Sequence, residues 1–291
     1  MPNNIKNKPL VYILIRNHNA FNLSKTAISS LNKLSYKNFR ILLIDDGSKD
    51  GSGLRLKEKF SKLELLKTKK YMEFCKSFNL GIKYALKKKA KYIFLVNNDT
   101  KNFSKNYLEK VVQAFQKNKK VGLVSSLCYD YNGSLRCDGT PQMRFGVPME
   151  TAAEGFIISA EALKKVGLFN QRLFRYFENI DLVIRLREAG YKTLSLHEIS
   201  FDHLGGGTSS KQIFMSNFYR VRNIFLFIKK HCKKEGIKSK LSILQTNMKV
   251  HTKRLAWSFK NKSLRQTLTL ILSISLGICI GLILPWKENH E

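Results

Sequence analysis

Short blocks of apolar residues punctuate the first half of the chain. VYILIR (11–16), FRILLID (39–45) and YIFLVN (92–97) are nearly continuous apolar runs. That pattern suits strands covered on both faces, as in a parallel sheet flanked by helices. Between them the spacing turns helical. Leu23, Ala27, Ile28, Leu31 and Leu34 form one stripe within 22–34, and Phe74, Phe78, Ile82 and Leu86 recur every four residues within 74–86. Strand alternating with helix predicts an α/β architecture with right-handed crossovers. Ligands of such sheets gather beyond the carboxyl ends of the strands, so the first half reads as a nucleotide-binding unit.

The pattern then changes. Residues 129–155 contain four glycines and two prolines with little periodicity, which predicts loops or short strands lining a cleft. ISAEALKKVG and DLVIRLREAG read as helices stopped by Gly167 and Gly190. KTLSL and EISFDH read as strand ends, and GGGTSSK as a mobile loop. Beyond residue 212 comes a basic helical extension to residue 265. Residues 266–286 then run without a charge over a length sufficient to cross a bilayer; a buried hydrophobic helix or hairpin is the competing reading. Six Lys or Arg lie in 249–265 and only Lys287 follows, an asymmetry that places the bulk of the protein in the cytoplasm.

Composition narrows the class. With 291 residues, 43% hydrophobic and 11% aromatic, the chain can bury a core, and wholesale disorder is excluded. The formal net charge of +31 comes mostly from lysine spread along the whole sequence. Lysine-biased coding, attraction to an anionic membrane and nucleic-acid binding all produce such a balance. Dispersed lysines without a recognisable nucleic-acid motif argue against the last. Cys75, Cys128, Cys137, Cys232 and Cys279 are scattered and odd in number, unlike a disulfide framework or zinc site and consistent with a reducing compartment. The polar N-terminus, followed by a short apolar run, does not resemble a signal peptide.

Four places carry candidate chemistry. Asp45 and Asp46 end the second apolar run and lead into the turn GSKDGS; they suit a base or ribose, or else an Asp-Gly turn in which Asp50 or Ser52 caps a helix. Asn97, Asn98 and Asp99 end the third run. A carboxylate flanked by amides can hold a hard divalent cation that takes its remaining ligands from water and phosphate, or it can form an Asx-turn. In FRYFENIDLVIRL, Glu178 and Asp181 stand where a helix begins; one fits the helix-start role and the other a general base facing a cleft. His203 precedes a glycine-rich loop and is either structural or a metal ligand.

In order, VYILIRNHN, IDDGSKDGS, FNLGIKYAL, FLVNNDT and AAEGFIISAEALKKVGLFNQRLFRYFENIDLVIRLREAGYKTLSLHEISFDHLGG resemble the motifs of family 2 glycosyltransferases of the GT-A fold, near their rhamnosyltransferase-like and galactofuranosyltransferase-like members. The resemblance covers residues 9 to 230. It implies a Rossmann-like mixed sheet in a catalytic domain over 1–211, with a nucleotide-sugar-binding half at 9–124 and an acceptor half at 125–211. It implies Mn2+ or Mg2+ on Asp99 with His203. A UDP- or dTDP-linked sugar would lie among Asn17, Asp45, Asp46, Asn79, Asn97 and Asn98. Glu178 would act as the base of an inverting transfer, with Asn179 and Asp181 in support. The acceptor is expected to be a glycan or lipid-linked hydroxyl in surface polysaccharide or glycolipid synthesis, at the cytoplasmic face of the membrane. Two departures stand out. Asn179 replaces the second carboxylate of the family's acidic pair, which motivates an alternative reading as a catalytically impaired membrane scaffold. KTKKYMEFCKSFN lacks the usual glycine-rich stretch, and Phe78 stands where many members place Arg.

Overall fold

The structure, a computed structural model, describes residues 8–140, 142–144, 147–150, 155–205, 213–233, 236–260 and 264–285. The first half builds β1 (Val11–Asn17), α1 (Phe21–Leu31), β2 (Phe39–Asp45), α2 (Ser52–Lys59), β3 (Glu64–Lys67), α3 (Glu73–Lys87) and β4 (Tyr92–Val96). The three apolar runs are β1, β2 and β4, and the two helical stripes are α1 and α3. Next come β5 (Thr100–Lys101), α4 (Tyr107–Lys117), β6 (Val121–Tyr129), β7 (Leu135–Cys137), β8 (Gln142–Arg144), β9 (Val147–Glu150) and β10 (Gly155–Ser159). Then follow α5 (Ala160–Val166), a 3-10 turn at Gln171–Leu173, α6 (Glu178–Glu188) and β11 (Lys192–His203). Three long helices end the described chain: α7 (Ile213–His231), α8 (Ile237–Lys260) and α9 (Leu264–Ile283).

The main sheet runs β3-β2-β1-β4-β10-β6-β11-β5, with β7 on β6, and β8 pairs separately with β9. Strands β3, β2, β1 and β4 are parallel, β10 is antiparallel to both β4 and β6, and β6 is parallel to β11. The sheet is therefore mixed but mainly parallel. Burial follows the two-residue alternation of a strand. Val11, Ile13 and Ile15 face α1 and α4, while Tyr12 and Leu14 face α3, α5 and α6. Gly81 lets α3 sit directly on β2, because its ideal Cβ would fall 2.5 Å from Ile44 Cδ1.

KTLSL and EISFDH are parts of one strand. β11 continues through them, and a register slip between Leu196 and Ser200 absorbs the mismatch with β6. The GGGTSSK loop falls almost entirely outside the described residues, as do parts of 129–155. The uncharged segment expected at 266–286 forms α9, and Trp286 is outside the described residues. α9 is long and apolar enough to cross a membrane. Its small-residue face packs on α7: a Cβ at Gly277 would fall 2.9 Å from Val221 Cβ, and one at Gly281 would fall 2.9 Å from Phe225 Cδ2. Lys229 Nζ donates to the terminal carbonyls of Gly281 and Leu284 at 3.0 and 2.8 Å. The opposite face leaves Leu264, Leu268, Leu272, Leu276 and Ile283 exposed.

Candidate active site

The carboxyl ends of β1, β2, β4 and β11 share one edge of the sheet, because β10 reverses direction between β4 and β6 and restores the sense of β6 and β11. Asn17, Asp45, Asn97 and His203 therefore come to the same edge from four different stretches of sequence. After β4 the chain crosses to β5, where Thr100 pairs with His203. That crossing delivers Asp99 to β11. His203 Nε2 lies 2.9 Å from Asp99 Oδ1 and 3.3 Å from Asn97 Nδ2. Both Asp99 and His203 are buried. The Leu204 amide and the Tyr131 hydroxyl donate to the Asp99 carbonyl at 2.9 and 3.1 Å, which fixes the backbone that carries the carboxylate.

No group of three or more His, Cys, Asp or Glu side chains converges for a metal among the described residues. The donor set at this edge is one carboxylate oxygen and one imidazole nitrogen. A hard divalent cation that keeps waters and takes phosphate oxygens needs only one or two protein ligands, so Asp99 and His203 fit such an ion.

The other expected donor-side residues are drawn largely into the protein. Asn17, fully buried, donates from Nδ2 to Asp45 Oδ1 at 3.0 Å and to Ser52 Oγ at 2.8 Å, and accepts from Ser24 Oγ at 2.8 Å. Asn98 Nδ2 continues the chain to Ser24 Oγ at 3.2 Å. Asp45 also accepts from the Ser48 hydroxyl, and Gly53 is needed because a Cβ there would overlap the Asp45 carboxylate. Asp46 is gripped by Arg16 Nε and Nη2 at 2.8 and 2.7 Å and by the Met72 amide at 2.7 Å. The Asp50 carboxylate accepts the Ser52 amide at 2.9 Å, forming the Asp-Gly turn before α2. Both ends of the Asn79 amide are taken by the Phe169 backbone, at 2.8 and 3.0 Å. Phe78 is core, packed on Phe74 with ring centroids 4.6 Å apart.

Sequence reasoning did not single out Arg16, His18 or Tyr71. Arg16 lies 4.9 Å from the Tyr71 ring centroid, and the His18 ring sits 4.6 Å from it. Arg16 and His18 sit inside the opening motif, and Tyr71 occupies the stretch that lacks the usual glycines; direct ring contacts between residues far apart in sequence join them.

On the acceptor side Glu178 is the first residue of α6 and is buried, and its Oε2 has no hydrogen-bond partner among the described residues. Burial pushes its carboxyl up to about 7, against the opposing pull of Arg220 and Arg175. The loop before it is tied to the start of α3: the Cys75 amide donates to the Phe174 carbonyl at 3.0 Å and Arg175 Nε to Glu73 at 3.1 Å. α3 follows directly on Met72, which holds Asp46, so this loop belongs to the same edge of the sheet. Asn179 is buried in the first turn of α6, its Oδ1 accepting the amide of the next residue, Ile180, at 2.9 Å. Asp181 is an ion-pair hub, accepting from Arg185 Nε at 2.9 Å, His231 Nε2 at 2.9 Å and Lys230 Nζ at 3.4 Å. Bonding from His231 and the charges of Arg185 and Lys230 hold its carboxyl down at about 2, against the cost of burial. Of the two helix-start carboxylates, Asp181 therefore joins α6 to α7 and Glu178 is the one left unspent.

Known proteins share this architecture. The chain is 26% identical over 210 residues to a protein of Bacillus subtilis (strain 168) whose name places it among glycosyltransferases, EpsE, covering 65% of this chain and 71% of that one. Among solved structures it resembles the mannosyltransferase PcManGT from Pyrobaculum calidifontis in complex with GDP-Man and Mn2+, with a TM-score of 0.57, 13% identity, and coverage of 96% of this chain and 85% of that one. It also resembles residues 1–349 of S. aureus TarS, with a TM-score of 0.55, 12% identity, and coverage of 92% and 91%. These likenesses identify the fold as GT-A. The sequence model of glycosyl transferase family 2 matches residues 12–162, just over half of the chain, and the protein belongs to that family.

Proposed function

We propose that this protein is a metal-dependent, inverting glycosyltransferase. It would move a sugar from a nucleoside-diphosphate donor to a hydroxyl of a glycan or lipid-linked acceptor. The observation that carries the reading is Glu178, a buried carboxyl with an unspent oxygen at the same sheet edge as the Asp99–His203 pair. A carboxyl titrating near neutrality is suited to accept a proton from an attacking hydroxyl at physiological pH. The acceptor oxygen displaces the nucleoside diphosphate from the anomeric carbon in one step, and its proton passes to Glu178. Asp99 and His203 would hold Mn2+ or Mg2+, which supplies charge stabilisation to the departing diphosphate. Arg16, Tyr71 and the turn built on Asn17, Asp45 and Asp46 would shape the nucleoside end, with UDP or dTDP as the expected carrier. Asn97 supports His203, and Asn98 secures the turn that carries Asp99.

The exposed apolar face of α9 and the dispersed lysines support attachment to an anionic membrane, with the catalytic domain in the cytoplasm and the acceptor presented by lipid. Surface polysaccharide or glycolipid synthesis fits such a placement. Donor binding and slow hydrolysis across UDP-, dTDP- and GDP-sugars, with and without Mn2+ or Mg2+, tests the reading. One donor should bind only with metal, Asp99→Ala should abolish that binding, and Glu178→Gln should bind without turning over. Binding of no donor under any metal condition would overturn it and favour a non-catalytic membrane scaffold, the reading that Asn179 motivates.

A further inference from the structure

The loop before Glu178 is held in a conformation that its side chains disfavour. Phe174, Tyr176 and Phe177 have φ of 58°, 67° and 68°, the left-handed region that bulky residues rarely adopt. Such a loop persists only where its surroundings impose it. Here five successive carbonyls, from Arg172 to Tyr176, are claimed by other elements. Arg222 Nη2 donates to Arg172 at 2.6 Å, and the Cys75 amide donates to Phe174 at 3.0 Å. The remaining three converge on Asn223, whose two Nδ2 hydrogens are shared among Leu173, Arg175 and Tyr176 at 2.8, 2.9 and 3.0 Å. Asn223 is fully buried in the middle of α7, and its Oδ1 accepts from Arg222 Nε and Nη2 at 2.9 and 2.7 Å. The next carbonyl, that of Phe177, takes the first helical bond of α6 from the Asp181 amide at 2.9 Å.

We propose that Asn223 is a positioning residue for Glu178: its amide pins the left-handed loop from which α6 starts, and so aims the carboxyl at the acceptor. Asn223, like Glu178, lies outside the segment that the family model matches; through it α7 would serve the catalytic loop as well as dock α9. The inference rests on Glu178 being the base. It differs from a purely structural role, because simple docking of α7 would affect stability without changing how Glu178 ionises. The groups that face Glu178 are Arg175, Arg220, Asp181 and the Cys75 thiol. Substituting Asn223 changes the identity of none of them, and of these four among the described residues only Arg175 is bonded to Asn223, through its backbone carbonyl.

The test uses the full chain with Asn223→Ala and with Asn223→Leu, which keeps the branched heavy-atom outline of the side chain while removing the donors. Turnover should fall about 10- to 100-fold, the loss expected when a catalytic group is misplaced by about 1 Å, with donor affinity unchanged. The acid limb of the pH–rate profile should move to lower pH as a loosened Glu178 gains water. Glu178→Gln is measured alongside. If Glu178→Gln turns over at the wild-type rate, the base assignment fails and this proposal with it. If Glu178→Gln is inactive while either Asn223 variant keeps the wild-type rate or an unmoved acid limb, the base stands and the positioning role is overturned. Loss of folding in both Asn223 variants would overturn it too, by assigning Asn223 to the scaffold alone.

Discussion

Replacing Glu178 with Gln should stabilise the protein, and by an amount that depends on pH. A carboxyl whose ordinary value of 4.5 is raised by burial to about 7 keeps its proton in the folded state over a range where the unfolded chain has lost it. Folding stability therefore falls as pH rises from 4.5 to 7, and levels off above that. At about 1.4 kcal/mol per pH unit, the cost at pH 8 reaches about 3 kcal/mol. Gln preserves the volume, carries no charge and escapes that cost. Glu178→Gln and the wild type should have nearly equal stability at pH 4.5, and the variant should lead by about 3 kcal/mol at pH 8, or about 6–12 °C in Tm for a chain of this size. Thermal and urea denaturation at pH 4.5, 6, 7 and 8 would measure the difference. A constant gap across that range would refute the reasoning, because it would mean that the native carboxyl is not desolvated. A stabilised but inactive variant would show that catalysis is maintained against the stability of the fold.

Asp99→Ala should abolish the metal dependence of donor binding, as read by calorimetry with and without Mn2+, while leaving Tm within a few degrees; unchanged metal-dependent affinity would remove Asp99 from the site. Asp181→Asn should destabilise the protein by about 3 kcal/mol at pH 7, because it removes the buried carboxylate that the half-buried Arg185 and Lys230 charges face. The wild type should itself lose about 2 kcal/mol as pH falls from 3.8 through about 2, the Asp181 contribution being present above that window and absent below it. Gly277→Leu should cost about 1–3 kcal/mol by wedging α9 off α7, visible as a lower Tm; an unchanged Tm would mean that the two helices do not pack there. Leu272→Glu with Leu276→Glu should reduce flotation with anionic vesicles without changing soluble donor hydrolysis, and undiminished flotation would exclude the α9 face as the membrane contact.

The strands β1, β2 and β4 and the helices α1 and α3 were legible because their burial is periodic and local: a covered strand must be apolar throughout, and a helix on a sheet must repeat about every four residues. Asp99 and Glu178 stood out as candidates for a related reason, since a carboxylate just beyond an apolar run, or at a helix start, interrupts a pattern that folding alone would continue. Sequence patterning by itself therefore determined the α/β class, the strand ends that share one edge of the sheet and the apolar character of α9. Other features depended on contacts between distant residues, which no local pattern records. The reversal at β10 places β11 in the sense of β4 and brings His203 to Asp99. The Arg185, Lys230 and His231 partners spend Asp181 and leave Glu178 as the available carboxyl. The Phe169 backbone consumes the Asn79 amide. Asn223, more than forty residues downstream of Glu178, satisfies three carbonyls of a strained loop. Hydrogen bonds and ion pairs of this kind need angstrom-level placement of groups far apart in sequence, and only the packed tertiary structure supplies it.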